Sequence, residues 1–189
     1  GAQASGSVYL DFLGWDGIPT VTFARPSGGG ELWRRAWVSA CDHYLPFWPE
    51  AFRLSQDRGT GLHITGSRDW TDYRASSVIS SDMAVDFGLA VRVQGLRRYY
   101  ALVVTSTGKA ELRKVLRGMN VLGTADFPRA EGTACTFSLE VKGNRIRAGI
   151  NGKALFDIVD GQEPLEAGGI ALACTEGSLS ANEVRVEPV

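Results

Sequence analysis

Trp70-Thr-Asp-Tyr-Arg74, Phe87-Gly-Leu-Ala-Val-Arg-Val-Gln-Gly95 and Arg97-Arg-Tyr-Tyr-Ala-Leu-Val-Val-Thr105 lie within the one stretch, Trp70–Thr105, whose reading decides the fold. Its last two runs are β-patterned and joined by a short link containing Gly and Arg. In the first, Leu89, Val91 and Val93 alternate with Ala90, Arg92 and Gln94. Period two places the aliphatic set on one face and Arg92 on the other. In the second, Tyr99 and Tyr100 are adjacent, so one enters a core and the other lies beside the row carrying Arg92. An aromatic ring and a guanidinium on the outer face of a sheet form a surface suited to sugars or other flat polar ligands.

From Phe52 onward the same rhythm continues. Strands are expected at Phe52–Gln56, Leu62–Thr65, Tyr73–Ile79, Gly88–Gln94, Tyr99–Thr105, Glu111–Leu116, Val121–Phe127, Thr136–Lys142, Arg145–Asn151, Leu155–Val159, Ile170–Cys174 and Asn182–Glu187. Lys142-Gly-Asn-Arg145 and Ile150-Asn-Gly-Lys153 are tight hairpin signals. Thr107-Gly-Lys109 and Glu176-Gly-Ser178 read as turns. Short strands spaced near ten residues apart, with almost no helical period, point to an antiparallel sandwich or barrel. No linker, repeat or low-complexity tract divides residues 1–189, so one domain is expected.

The N-terminal part reads differently. A strand is expected near Val8–Leu13 and a loop at Pro26–Gly30. The three glycines lack the Lys-Ser/Thr and βαβ context of a phosphate loop, so a turn is expected. Glu31–Trp48 carries Trp33, Trp37, Tyr44, Phe47 and Trp48. Trp33 and Trp37 are four apart, which fits one helical turn, although Trp33–Val38 also reads as a strand. Pro46 and Pro49 rule out regular structure around Phe47 and Trp48. Residues 1–50 are thus expected to be an aromatic-rich segment packed on the β domain.

Composition excludes several classes. The 189 residues with 44% hydrophobic content suffice for one core without disulfide or metal staples. Twenty basic against 21 acidic residues give a net charge of −1, and no case for nucleic acid or a membrane surface. No apolar run approaches the roughly 20 residues of a membrane span, and no signal peptide opens the sequence, so a cytoplasmic location is expected. Cys41, Cys135 and Cys174 are widely spaced and read as free, mostly buried thiols. His43 and His63 are isolated, and His63 is expected on a sheet face rather than at zinc.

The motifs Trp70-Thr-Asp-Tyr73, Gly88-Leu-Ala-Val-Arg92, Tyr99-Tyr-Ala-Leu102, Leu139–Arg147 with Asn151-Gly-Lys-Ala-Leu155, Gly168-Gly-Ile-Ala-Leu172 and Val184-Arg-Val186 follow in order. This series resembles the concanavalin A-like lectin/glucanase superfamily, and within it the laminin-G-like and family-16-glycosidase-like modules attached to bacterial sugar-processing enzymes, levan-binding modules included. The likeness covers Phe52 to Val186. It implies an all-β, antiparallel two-sheet jelly-roll sandwich with one concave sheet. A narrower likeness rests on Tyr9–Gly17, Arg25–Gly30, Leu32–Val38 and Arg58–Leu62. These resemble the segment after the catalytic domain in bacterial ADP-ribosylglycohydrolase-family proteins. That likeness implies a non-catalytic C-terminal module, whose partner is a catalytic domain of the same polypeptide.

Glycosidases of this superfamily use a strand with Glu-x-Asp-x-x-Glu, which places two carboxyl groups on one face. Glu111, Glu140, Asp157, and Glu183 with Glu187 all lack that pattern. Nor is there a Gly-x-Ser-x-Gly elbow or a Cys/His pair. The chain is therefore expected to bind rather than to catalyse, its ligand a carbohydrate or glycoside. Candidate contacts are Arg92, Arg98, Tyr99, Glu111, Arg113 and Trp70, because guanidinium and carboxylate groups hydrogen-bond hydroxyls while an aromatic face stacks. A structural calcium, common in such modules, would look to Asp157 and Asp160, or to Asp82 and Asp86. No cofactor is expected. Two alternatives are an interaction module that dimerises or packs on a catalytic domain through Glu31–Trp48, and a divergent glycosidase.

Overall fold

The computed structural model describes Tyr9, Asp11, residues 18–45 and residues 48–189. The strand expected near Val8–Leu13 falls almost wholly outside them. Among the described residues thirteen strands occur in order, with one short 3₁₀ helix. They are β1 Val21–Ala24, β2 Val38–Ala40, β3 His43–Tyr44, β4 Phe52–Thr65, β5 Tyr73–Ser81, β6 Asp86–Gly95 and β7 Arg98–Thr105. They continue with β8 Lys109–Leu116, β9 Met119–Asp126, β10 Cys135–Lys142, β11 Arg145–Ile150, β12 Lys153–Val159 and β13 Gly169–Pro188.

The strands form two layers. One runs β12-β11-β10-β5 and then the second half of β13, flanked by β1 and the first half of β4. The other runs β9-β8-β7-β6, the first half of β13, the second half of β4, and β2. Every pairing is antiparallel, as short hairpin links permit. Asn151 and Gly152 both have positive φ (53° and 76°), the requirement of the hairpin turn read from their sequence.

Two of the expected breaks are corrected. Phe52–Gln56 and Leu62–Thr65 are one strand, β4, and Ile170–Cys174 and Asn182–Glu187 are one strand, β13. Glu176-Gly-Ser178 is not a chain reversal. It is a bulge between Thr175 and Gly177, where β13 passes from one layer to the other. Gly177 is needed there: its φ is +145°, and a Cβ would lie 2.4 Å from the Ala84 Cα.

Alternation then fills the interior. Leu89, Val91, Tyr100, Leu102, Val104 and Leu112 of one layer meet Tyr73, Ile79, Phe137, Leu139, Val141, Leu179 and Val184 of the other, all buried. Truncating Phe137 to alanine here would cost about 3–5 kcal/mol. A smaller cluster of Leu62, Ala90, Val93, Tyr99, Ala101, Val103, Ala171 and Ala173 covers the opposite side of the second layer.

Two tryptophans of the N-terminal part close the sandwich end. Leu32–Ala36 is the 3₁₀ helix, so the helical option holds for this segment. Trp33 and Trp37 both pack on Phe52, with ring centroids 5.7 and 4.8 Å away. Pro26–Gly30 is a turn, closed by the Gly29 amide donating to the Pro26 carbonyl at 3.1 Å.

Arg92 is the main correction to the reading of alternation. Its φ is +49°, and the register of β6 against β7 shifts between Val91 and Gly95. This bulge reverses the phase, so Val93 joins Ala90 on the outer side rather than Leu89 and Val91 within. The Arg92 side chain is 1% exposed. It donates to the carbonyls of Thr71, Gly143 and Leu165 and to Asp72 Oδ1 (2.5 to 3.3 Å). It is an internal tie between three loops. Those carbonyls replace the water that a buried guanidinium loses.

Candidate ligand pocket

The outer side of the second layer carries the pocket. Alternation in β8 turns Ala110, Leu112 and Lys114 inward and Glu111, Arg113 and Val115 outward. In β7 the same phase puts Tyr100 in the inter-sheet core and Tyr99 on the outer side. Arg113 then reaches across β7 to Asp86 at the start of β6. Its Nη1 donates to Asp86 Oδ2 at 2.7 Å, and its Nε donates to Glu111 Oε2 at 2.7 Å. Burial pushes the Arg113 guanidinium down, but the hydrogen bonds it donates to Asp86 and Glu111 outweigh that and hold the charge firmly. All three side chains are less than one-fifth exposed, so these pairs are screened far less than surface ones.

Beside this triad is a cavity of about 150 Å³. Tyr99, Arg113, Val115 and Met119 line it from β7 to β9, Asp86 from β6, and Thr60 and Thr175 from β4 and β13. The two threonine hydroxyls lie 2.8 Å apart. Its floor is small, made of Ala101, Val103 and Ala173. Burial pushes the Tyr99 phenol up, so its hydroxyl stays protonated at neutral pH. That hydroxyl and the Arg113 Nη2 have no hydrogen-bond partner among the described residues. The cavity thus joins an apolar floor, a phenol, the Asp86 carboxylate and a guanidinium that Glu111 orients from outside the lining, the mixture of few polar groups on an apolar ground typical of small-ligand sites.

Three of the expected contacts, Tyr99, Glu111 and Arg113, come together here. The other three do not. Arg92 is the buried tie just described. Arg98 is exposed and in the opposite phase to Tyr99, facing a separate recess with Arg97 and Arg117. Trp70 lies at the sandwich end, its ring 5.9 Å from that of Tyr73 and 6.5 Å from that of Phe23. Asp86, Thr60 and Thr175 belong to the pocket but are absent from the expected set. For Asp86 the one available signal was its place in phase with Ala90, two strands from Arg113.

The acidic residues considered for calcium are separately engaged. Asp157 takes a two-pronged contact from Arg145 at 2.6 and 2.7 Å. Asp160 accepts from Lys114 and Tyr100, Asp82 from Arg53, and Asp86 from Arg113. Among the described residues no group of three or more His, Cys, Asp or Glu side chains could hold a metal ion.

The topology is an antiparallel β-sandwich of two layers, with polar groups gathered on the outer side of one. No family model and no curated protein matches the sequence. Solved structures do match its fold. The carbohydrate-binding module CBM66 from Bacillus subtilis aligns with a TM-score of 0.72 at 15% identity, covering 80% of this chain and 95% of that one. A Bacillus subtilis protein of unknown function with a galectin-like fold aligns at 0.65 and 13% identity, covering 89% and 94%. The GH43 protein BlXynB from Bacillus licheniformis aligns at 0.60 and 11% identity, over 82% of this chain but 37% of that protein. At these identities the likeness shows the fold.

Proposed function

We propose that this chain is a non-catalytic carbohydrate-binding module and that the Tyr99–Arg113 pocket receives one sugar unit. The observation that carries the reading is the Arg113 fork, held between Asp86 and Glu111 at 2.7 Å each beside a phenol with a free hydroxyl. Fixed donors and acceptors suit vicinal hydroxyls, because they are ordered before the ligand arrives. The fold supports the reading, since a neighbour of the same architecture is named a carbohydrate-binding module. The sequence supports the non-catalytic part, since it lacks the glycosidase strand motif.

The accessory role belongs to the same proposal: a module attached to a larger bacterial enzyme, the ADP-ribosylglycohydrolase-family context included. It rests on the sequence likeness alone. The interaction-module alternative has less behind it, because Trp33 and Trp37 are taken up by Phe52 within this chain.

The test is a glycan array followed by calorimetric titration of the hits, with fructans, β-glucans, galactosides and ADP-ribose included. Arg113→Gln should weaken the strongest ligand at least tenfold, and Tyr99→Phe should weaken it by less. Failure to bind any glycan, or equal binding by Arg113→Gln, would contradict the reading.

A further inference from the structure

The first layer also has an outer face, and it carries a larger recess. Alternation turns Arg74 and Ser76 of β5, Ser138 and Glu140 of β10, and Arg147 and Gly149 of β11 to that side. Register then builds rows across the strands. Arg74 faces Glu140, which faces Arg147, which faces Asp157 of β12. The neighbouring row is Ser76, Ser138, Gly149 and Ala154. The charged row is a wall, and the small row is a floor. Between them lies a groove of about 330 Å³, more than twice the first pocket.

The wall is ordered in advance. Glu140 is 8% exposed, and its two oxygens are divided between two arginines. Arg74 donates to Oε2 at 2.6 and 3.1 Å, and Arg147 donates to Oε1 at 2.9 Å. Burial pushes this carboxyl up, but the hydrogen bonds from Arg74 and Arg147 outweigh it and keep it ionised. Glu140 is thus a positioning residue: it holds two guanidiniums upright while each side chain stays nearly half exposed. The floor is kept bare by the backbone itself. A Cβ on Gly149 would meet the Lys153 carbonyl oxygen at 2.7 Å, because β12 bulges towards it.

Donors outnumber acceptors here. Arg74, Arg145, Arg147 and Lys153 stand against Glu140, Asp157 and Glu187, the last opposite Arg74 in register, so four positive charges meet three negative ones, and Asp157 is already held by Arg145. The Lys153 ammonium and the Ser138 hydroxyl, both of which line the groove, have no partner among the described residues. A local excess of positive charge on a protein of net charge −1 selects an anionic ligand. The Ser138 hydroxyl on the floor, and a length crossing four strands about 4.8 Å apart, select a chain of hydroxylated units rather than a lone ion.

From this the geometry points to a second binding site, on the opposite sheet to the first, for an acidic oligosaccharide whose carboxylate is taken by the free edges of Arg74 and Arg147. It does not depend on the first pocket. The test is affinity electrophoresis of the whole chain through gels containing polygalacturonate or, as the neutral control, dextran. Polygalacturonate should retard the wild type and dextran should not. Arg74→Ala combined with Arg147→Ala should weaken retardation at least tenfold. Ser138→Trp, which fills the floor from an outward position and leaves Glu140 paired, should do the same with an unchanged far-ultraviolet circular dichroism spectrum and a cooperative urea transition. Arg113→Gln, and Arg68→Ala combined with Arg97→Ala, two exposed arginines outside the groove, should leave retardation unchanged. The proposal is overturned if the wild type is not retarded or if Ser138→Trp is retarded normally. It is also overturned if the Arg68/Arg97 variant loses as much as the groove variant, which would mean diffuse charge. Loss in Arg113→Gln would move the ligand to the first pocket and equally overturn it.

Discussion

His63 should make this protein acid-sensitive in a defined pH window. The imidazole is 1% exposed. It stacks on Trp37 with centroids 4.8 Å apart and planes 5° from parallel, and Tyr44 closes the other side at 4.5 Å. Neither ring nitrogen has a hydrogen-bond partner among the described residues. Burial alone pushes its pKa down from 6.5 to about 4. Above pH 6.5 the ring is neutral whether the chain is folded or not, so stability is intact. Between 6.5 and 4 the unfolded chain binds the proton and the folded chain does not. Stability therefore falls as pH falls, by roughly 2–3 kcal/mol at pH 4.5 and somewhat more below pH 4. For a chain of this size, 2.5 kcal/mol is roughly 5–10 °C in Tm.

The assay is urea unfolding by tryptophan fluorescence at pH 7.5 and 4.5, for the wild type and His63→Phe. Phenylalanine keeps the stack and removes the titrating group. Carboxylates held ionised in the fold, such as Glu140 and Asp160, add the same acid-dependent term to both proteins as the unfolded chain takes up protons, so it cancels in the comparison. The wild type should lose about 2.5 kcal/mol more than the variant over that interval. Losses equal within about 0.5 kcal/mol would refute the reasoning, because they would mean that His63 takes its proton without opening the fold.

Other outcomes follow from the same contacts. Arg92→Met removes a guanidinium that ties Thr71, Asp72, Gly143 and Leu165, and should destabilise by about 3–5 kcal/mol in urea unfolding. Lys114 and Asp160, both nearly buried, are paired at 2.6 Å. Lys114→Met should cost about 3–5 kcal/mol, and adding Asp160→Asn should recover part of it in the double-mutant cycle. Burial pushes the Cys41 and Cys174 thiols up to about 12, so both should stay unlabelled by a disulfide reagent at pH 8 until the chain is unfolded in guanidinium.

Much of the sandwich was legible because its signals are local. Alternation at Phe137, Leu139 and Val141, and the turn pairs at Gly143-Asn144 and Asn151-Gly152, act within a few residues and survive into the structure. The long strands were not legible. Gly59 and Gly61 in β4, and Glu176-Gly177 in β13, carry turn residues where the chain bends through both layers without reversing. The site was half legible for the same reason. Tyr99, Glu111 and Arg113 follow the phase of their own strands, so neighbours on one face could be inferred. Arg92 could not, because one residue with φ +49° reverses the phase, and nothing in Val91-Arg92-Val93 marks it. Asp86 joins Arg113 only through a register two strands wide, which no single strand pattern encodes.

The central claim is that Arg113, held by Asp86 and Glu111, receives a sugar. Calorimetric titration of the best array ligand into the wild type and Arg113→Gln tests it most directly. The account predicts saturable binding by the wild type at one site, with at least a tenfold weaker Kd in a variant that unfolds normally. A variant that binds as tightly as the wild type, or a wild type that binds no glycan, would contradict it.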